Sequence, residues 1–210
     1  MVVELKFGLK TIDLPYTVRV PNVTEEMFDD LVDEDTRAEL IDGVMIVHSP
    51  TSTLHDDITG WLRPLMRVYA EDTKQGRVLG GESLVHLASC RRFCPDIYFI
   101  EAHQVSQLSR KQFEGTPSMV VEVLSPSNRS EDLEDKRPAY QAAGVRELWF
   151  VDPDAEEIII DRRRKKNYVT THVSKGKLFS TVLTGFWIDT AWLWAHPLPS
   201  LSDCLRKISK

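Results

Sequence analysis

The chain has 210 residues, 42% hydrophobic and 28% charged, with 26 basic against 32 acidic side chains and a formal net charge of −6. That is the make-up of a soluble globular protein of one domain, and its net charge does not advertise a nucleic-acid binder, although a local basic surface remains compatible with it. No apolar run approaches the ~20 residues of a membrane span, and no basic leader precedes an apolar stretch, so the expectation is a cytoplasmic protein without a membrane partner.

Thr24 before Glu25 and Glu26 has the form of a helix N-cap with acids in the first turn, where free amides and the helix dipole favour them. Met27, Phe28 and Leu31 supply the apolar side of a short helix reaching about Asp33. Ala38-Glu39-Leu40-Ile41 and Val44-Met45-Ile46-Val47 flank Asp42-Gly43, which suits a type I′ turn. This predicts an N-terminal β-hairpin with Glu39 inside its first strand. Ser49-Pro50-Thr51-Ser52 reads as loop and cap for the longest helix, where Leu54, Ile58, Trp61, Leu62, Leu65, Met66 and Tyr69 recur at three- and four-residue steps. Pro64 falls within that stripe and predicts a kink or local break. His55, Asp56 and Asp57 occupy the first turn, and the helix dipole alone accounts for the two acids.

Gly80-Gly81 punctuates a strand over residues 77–87, as at a bulge. A strand carrying Asp96 follows within 93–100, then a polar, partly helical connection over 101–115. The next strand, 118–124, carries Glu122 and ends at Ser125-Pro126-Ser127-Asn128, which is loop chemistry. Residues 130–143 turn helical, Gly144 suits the C-terminus, and Pro138 inside the segment predicts a distorted turn. Strands at 147–151 and 157–161 are joined by the turn Asp152-Pro153-Asp154, followed by strands at 168–173 and, last, 177–182. The Trp-rich residues 185–194 read as core or as a partner surface. The order of elements describes an α/β (α+β) domain, with a mixed central sheet flanked by helices. The domain is set at 24–195, with an N-terminal extension at 1–23 and a C-terminal tail at 196–210.

Cys90, Cys94 and Cys204 are an odd set without disulfide-framework spacing, as in a reducing compartment. His86, Cys90 and Cys94 fall at four-residue intervals but lack the second ligand pair of a zinc site, so they read as buried or edge-strand thiols. Arg162, Arg163, Arg164, Lys165 and Lys166 form the main basic run. It is either a solvated hairpin turn or a phosphate-binding patch.

Two acids stand out. Glu122 projects with Val120 and Leu124, while Met119, Val121 and Val123 point the other way, so both faces of its strand are apolar. Asp96 likewise projects with Tyr98, opposite Ile97 and Phe99. A carboxylate in such surroundings is costly to ionise without a cation or hydrogen bonds. Either Arg, Lys or backbone amides satisfy the pair, or a divalent ion sits between them, and hard oxygen ligands suit Mg²⁺ or Mn²⁺. Lys136 lies four residues from both Asp132 and Tyr140 on one helix face, so it is either the cation of that site or half of a surface pair with Asp132. His55 reads as a structural helix-start histidine or as a proton shuttle. Ser125 has no histidine base nearby in sequence and reads as a loop residue.

The sequence resembles the Uma-two family through a set of motifs. These are Pro95-Asp96, Val120-Val121-Glu122-Val123-Leu124-Ser125-Pro126-Ser127, Asp132 with Lys136 and Tyr140, and Gly144-Val145-Arg146-Glu147-Leu148-Trp149-Phe150-Val151-Asp152-Pro153. Glu39-Leu40-Ile41-Asp42-Gly43, His55 and Leu183-Thr184-Gly185-Phe186 extend the similarity over about residues 24–194. This family is a bacterial group of restriction endonucleases within the PD-(D/E)XK nuclease superfamily. The resemblance implies a restriction-endonuclease-like core, metal-dependent cleavage of DNA, and Asp96 and Glu122 as ligands of Mg²⁺ or Mn²⁺. It adds Glu39 as a further acid. The superfamily places a lysine two residues after the acid, where this chain has Leu124, and Lys136 becomes its replacement. A homodimer that cuts both strands is expected. The competing expectation is an inactive nuclease-like module that binds nucleic acid or a protein partner.

Overall fold

The computed structural model describes residues 17–32, 38–48, 51–81 and 83–209. The first part of the chain contributes β1 (Thr17–Pro21), α1 (Glu25–Leu31), β2 (Ala38–Ile41), β3 (Val44–His48), α2 (Thr53–Asp72), β4 (Gly76–Leu79), β5 (Leu84–Ala88), β6 (Arg91–Phe93) and β7 (Ile97–Glu101). A 3-10 turn (Ala102–Gln107), β8 (Gln112–Glu114), β9 (Met119–Val123), a π-helical turn (Glu131–Lys136) and α3 (Arg137–Ala143) follow. The chain then forms β10 (Glu147–Asp152), β11 (Glu157–Arg164), β12 (Asn167–Val173), β13 (Lys177–Phe179), β14 (Trp187–Asp189), α4 (Thr190–Leu193) and α5 (Leu201–Ile208).

The central mixed sheet has the order β12-β11-β10-β9-β7-β4, with β9 parallel to β10 and antiparallel to β7. Every residue of β9 is buried, as its two apolar faces demand. One face, with Ile97, Phe99, Val121 and Trp149, lies under Ile58, Leu62, Leu65 and Met66 of α2. The opposite face, with Tyr98, Val120 and Phe150, shares a core with Tyr140 and with Ile46, Val85 and Phe93 of a second sheet. That sheet runs β1-β3-β2-β6-β5-β8. The hairpin expected around Asp42-Gly43 is present, with both turn residues at positive φ, and it is two strands of this larger sheet.

Thr24 caps α1 as expected, but Met27 is 41% exposed and only Phe28 of the short helix is fully buried. Asp33, Ser49 and Pro50 lie outside the described residues. Ser52 caps α2, whose helix runs unbroken through Pro64. Its buried stripe begins at His55, and Leu54 is exposed. The single strand expected over 77–87 is two strands in different sheets. The chain crosses at Gly80-Gly81, and at Gly80 (φ 145°) a Cβ would lie 2.2 Å from the Asp96 carbonyl oxygen. Asp96 precedes β7 rather than lying inside a strand, because Cys94-Pro95-Asp96 carries the chain from the second sheet back to the central one.

Beyond β12, the strand expected over 177–182 stops at Phe179, where the Ser180 hydroxyl accepts bonds from the Val182 and Leu183 amides, and β14 follows. The tryptophans are core: Trp187 is buried and Trp192 packs edge-on to Trp61 at 6.3 Å. Residues set apart as a tail contribute α5, with Cys204 and Ile208 in the same core. No helix among the described residues is long and apolar enough to cross a membrane.

Candidate functional site

Because β7 and β9 are antiparallel, the start of one lies beside the end of the other, and this register brings Asp96 next to Glu122 and Val123. The crossover peptide is gripped from both sheets. Glu39 on β2 accepts the Cys94 amide at 2.7 Å, and Glu122 on β9 accepts the Asp96 amide at 3.0 Å. Asp96 Oδ2 accepts the Val123 amide and contacts His55 Nε2, each at 2.9 Å. Tyr140 donates to Glu122 Oε1 at 2.7 Å. His55 reaches the site because it continues the inward stripe of α2, three residues before Ile58.

Lys136 is buried, so it is no surface partner of Asp132. Its ammonium lies 2.9 Å from Glu39 Oε2, 3.1 Å from Asp132 Oδ1, and 3.9 Å from both Glu122 Oε1 and Glu131 Oε1. The distortion expected from Pro138 is the π-helical turn immediately upstream, which runs directly into α3 with Pro138 in its first turn. Leu124, where the resemblance leads to the expectation of a lysine, packs in the core shared with Tyr140.

Asp96, Glu122, Lys136, Glu39 and His55 therefore converge. Glu131 and Asp132 join them, both buried; the sequence marks Asp132 as a motif partner of Lys136 and Tyr140 but not as a site residue, and it does not single out Glu131. The available signal was phase: Asp132 shares a helix face with Lys136 and with buried Tyr140. Arg19 of β1 contacts Glu131 at 3.3 Å from the rim.

Among the described residues, five buried carboxylates meet Lys136, His55 and, at the rim, Arg19. Burial lifts the Glu122 carboxyl to about 7 against the pull of Lys136, and the charges of Asp96 and Glu39 add to the rise. Burial likewise lifts Asp132 well above the carboxylate range. For Asp96 burial is outweighed by the hydrogen bond and charge of His55 and by the Val123 amide, so its carboxyl is held below the usual value. Burial alone would lower Lys136, but Asp132, Glu39 and Glu122 keep the ammonium charged and its pKa well above the ordinary lysine value.

These are hard oxygen donors, and neither Asp132 oxygen receives a hydrogen bond. The donor chemistry fits a divalent cation of the Mg²⁺ or Mn²⁺ type. Among the described residues no three His, Cys, Asp or Glu side chains are arranged around one point as ligands of an ion. In the present geometry backbone amides, His55, Tyr140, Lys136 and Arg19 contact the acids.

Arg162, Arg163, Arg164, Lys165 and Lys166 are not part of this cluster. They form the tip of the β11–β12 hairpin, with Arg162 paired to Glu147 at 3.3 Å and Arg163 donating to the Gly144 carbonyl at 3.1 Å. Arg164, Lys165 and Lys166 are exposed. Asp152 caps its own turn through the Ala155 amide, and Ser125 is tied to Asn128.

A family model described as "Uma2: Putative restriction endonuclease" matches residues 25–191. A crystal structure from Anabaena variabilis, described as a putative nuclease belonging to DUF820, superposes with a TM-score of 0.69 at 15% identity. The match covers 82% of this chain and 97% of that one. Among curated proteins none matches.

Proposed function

This chain belongs to the Uma2 family of restriction endonucleases, and on that premise we propose that it is a metal-dependent endonuclease hydrolysing phosphodiester bonds in DNA. The observation that carries the proposal is the meeting of Asp96, Glu122, Glu39 and Lys136, from two sheets and a helical turn, in one buried cluster. Asp96 and Glu122 would hold Mg²⁺ or Mn²⁺, which supplies positive charge to the phosphodiester and lowers the pKa of a bound water. Glu39 orients the ligand set through the Cys94 amide, and His55 keeps Asp96 ionised. Lys136 offers a fixed positive charge to the attacking or departing oxygen. Two copies acting together would cut both strands, in the cytoplasm.

The test is nicking of supercoiled DNA by purified protein with Mg²⁺ or Mn²⁺. Asp96→Ala and Glu122→Ala are expected to abolish it, and cleavage that survives in both variants refutes the assignment. One observation favours a second reading, a module that binds without cutting: each acid of the cluster is less than a tenth exposed. That reading predicts salt-sensitive DNA binding through the β11–β12 tip and no metal-stimulated cleavage.

A further inference from the structure

Lys136 does more than neutralise one partner. Four carboxylates, Glu39, Asp132, Glu122 and Glu131, come within 3.9 Å of its ammonium, and all five side chains are at most 6% exposed. Three of these acids have other bonds: Glu39 holds the Cys94 amide, Glu122 holds Asp96 and Tyr140, and Glu131 meets Arg19. Asp132 differs. It is 1% exposed, turns Oδ1 to the ammonium at 3.1 Å, and has no hydrogen bond at either oxygen.

Glu39 at 2.9 Å and Asp132 at 3.1 Å hold the ammonium closely, while Glu122 and Glu131 surround it at 3.9 Å. Charge-assisted N–H···O contacts lie at about 2.7–2.9 Å, whereas Mg²⁺ and Ca²⁺ take oxygens at about 2.0–2.6 Å. Removing the lysine and drawing Glu39 and Asp132 inward by up to about 1 Å, and Glu122 and Glu131 by about 1.3–1.9 Å, converts the cage to metal distances. With the lysine in place, no such ligand arrangement exists among the described residues.

We propose that Glu39, Glu122, Glu131 and Asp132 form a second cation site whose resident ion is this chain's own Lys136 ammonium, standing where a second divalent ion would otherwise bind. The site rests on the metal-dependent reading only for the first ion, at Asp96 and Glu122. The cage itself needs no cleavage activity to be tested. Its consequence is a one-ion centre: the helix-borne lysine replaces the second metal, and Asp132 is a positioning residue for it.

The experiment counts bound Mn²⁺ by electron paramagnetic resonance and titration calorimetry in wild type, Lys136→Ala, and Lys136→Ala combined with Asp132→Asn. Lys136→Ala is expected to bind one Mn²⁺ more per chain than wild type, and the added Asp132→Asn change is expected to remove that extra ion. Equal counts in wild type and Lys136→Ala overturn the proposal. The readout is a difference, so a wild-type count of zero would strike the Asp96–Glu122 assignment and leave the cage decided by the variants. Should Lys136→Ala unfold in metal-free buffer, recovery of its folded circular dichroism signal with Mn²⁺ but not with K⁺ supports the site, and no recovery overturns it.

Discussion

Replacing Glu122 by Gln is expected to stabilise the metal-free protein at pH 8 while leaving it close to wild type at pH 5. In the folded chain the Glu122 carboxyl is raised from an ordinary 4.5 to about 7, chiefly by burial. The folded state therefore holds this proton more tightly than the unfolded state. The associated stability is fully present below about 4.5 and is lost as pH rises through about 7. At about 1.36 kcal/mol per pH unit the whole effect is about 3 kcal/mol, of which about 2–3 kcal/mol falls between pH 5 and pH 8. Glutamine imitates the protonated acid: its oxygen can accept the Asp96 amide while its NH₂ donates to the Tyr140 oxygen, which turns to accept. Asp132, also raised, pulls in the same direction in both proteins, so the difference between them is the informative quantity. Urea denaturation in EDTA at pH 5, 6, 7 and 8 measures it. Parallel stability curves for wild type and Glu122→Gln would refute the claim that burial governs this carboxyl.

Gly80→Ala is expected to destabilise by about 1–3 kcal/mol from backbone strain and to lower any cleavage at least tenfold, because the new Cβ meets the Asp96 carbonyl oxygen at 2.2 Å. Gly60→Ala on α2 is its control: nothing lies within 4 Å of that Cβ, so helix propensity should raise stability by up to about 1 kcal/mol in thermal unfolding. Lys165→Glu with Lys166→Glu at the exposed hairpin tip is expected to weaken DNA binding and to reduce the salt slope by about one for each lost phosphate contact. An unchanged slope would remove the hairpin from the DNA-binding surface.

Period and phase explain what could be read in advance. The alternation in β9 placed Glu122 on the face of Val120 and Leu124, and both residues pack in the core shared with Tyr140, opposite Val121 and Val123 under α2. Phase does not separate His55 from Leu54, which lie three and four residues before Ile58; only the packing shows His55 buried and Leu54 exposed. The split at Gly80-Gly81 was not accessible this way. Apolar residues lie on both sides of it, and the split arises because β5 turns back on its neighbour β6 while β4 pairs across the intervening strands with the distant β7. Asp96 was displaced from strand interior to strand head for the same reason.

The lysine shows most clearly why a motif has to be read with its packing. A cation two residues after Glu122 would point into the space now filled by Leu124, alongside Ala139, Tyr140 and Val145, where an ammonium would have no water. Packing α3 onto that face requires an apolar side chain, so the charge must arrive from elsewhere. The turn ahead of α3 supplies it. Pro138 lacks the amide that would continue the helix upstream, and the backbone widens so that the Arg137 amide reaches the Asp132 carbonyl. Lys136 is thereby turned toward Glu39 rather than toward solvent. The displacement of the lysine and the presence of Pro138, which looked like two departures from a nuclease pattern, are two parts of one solution to the packing of α3.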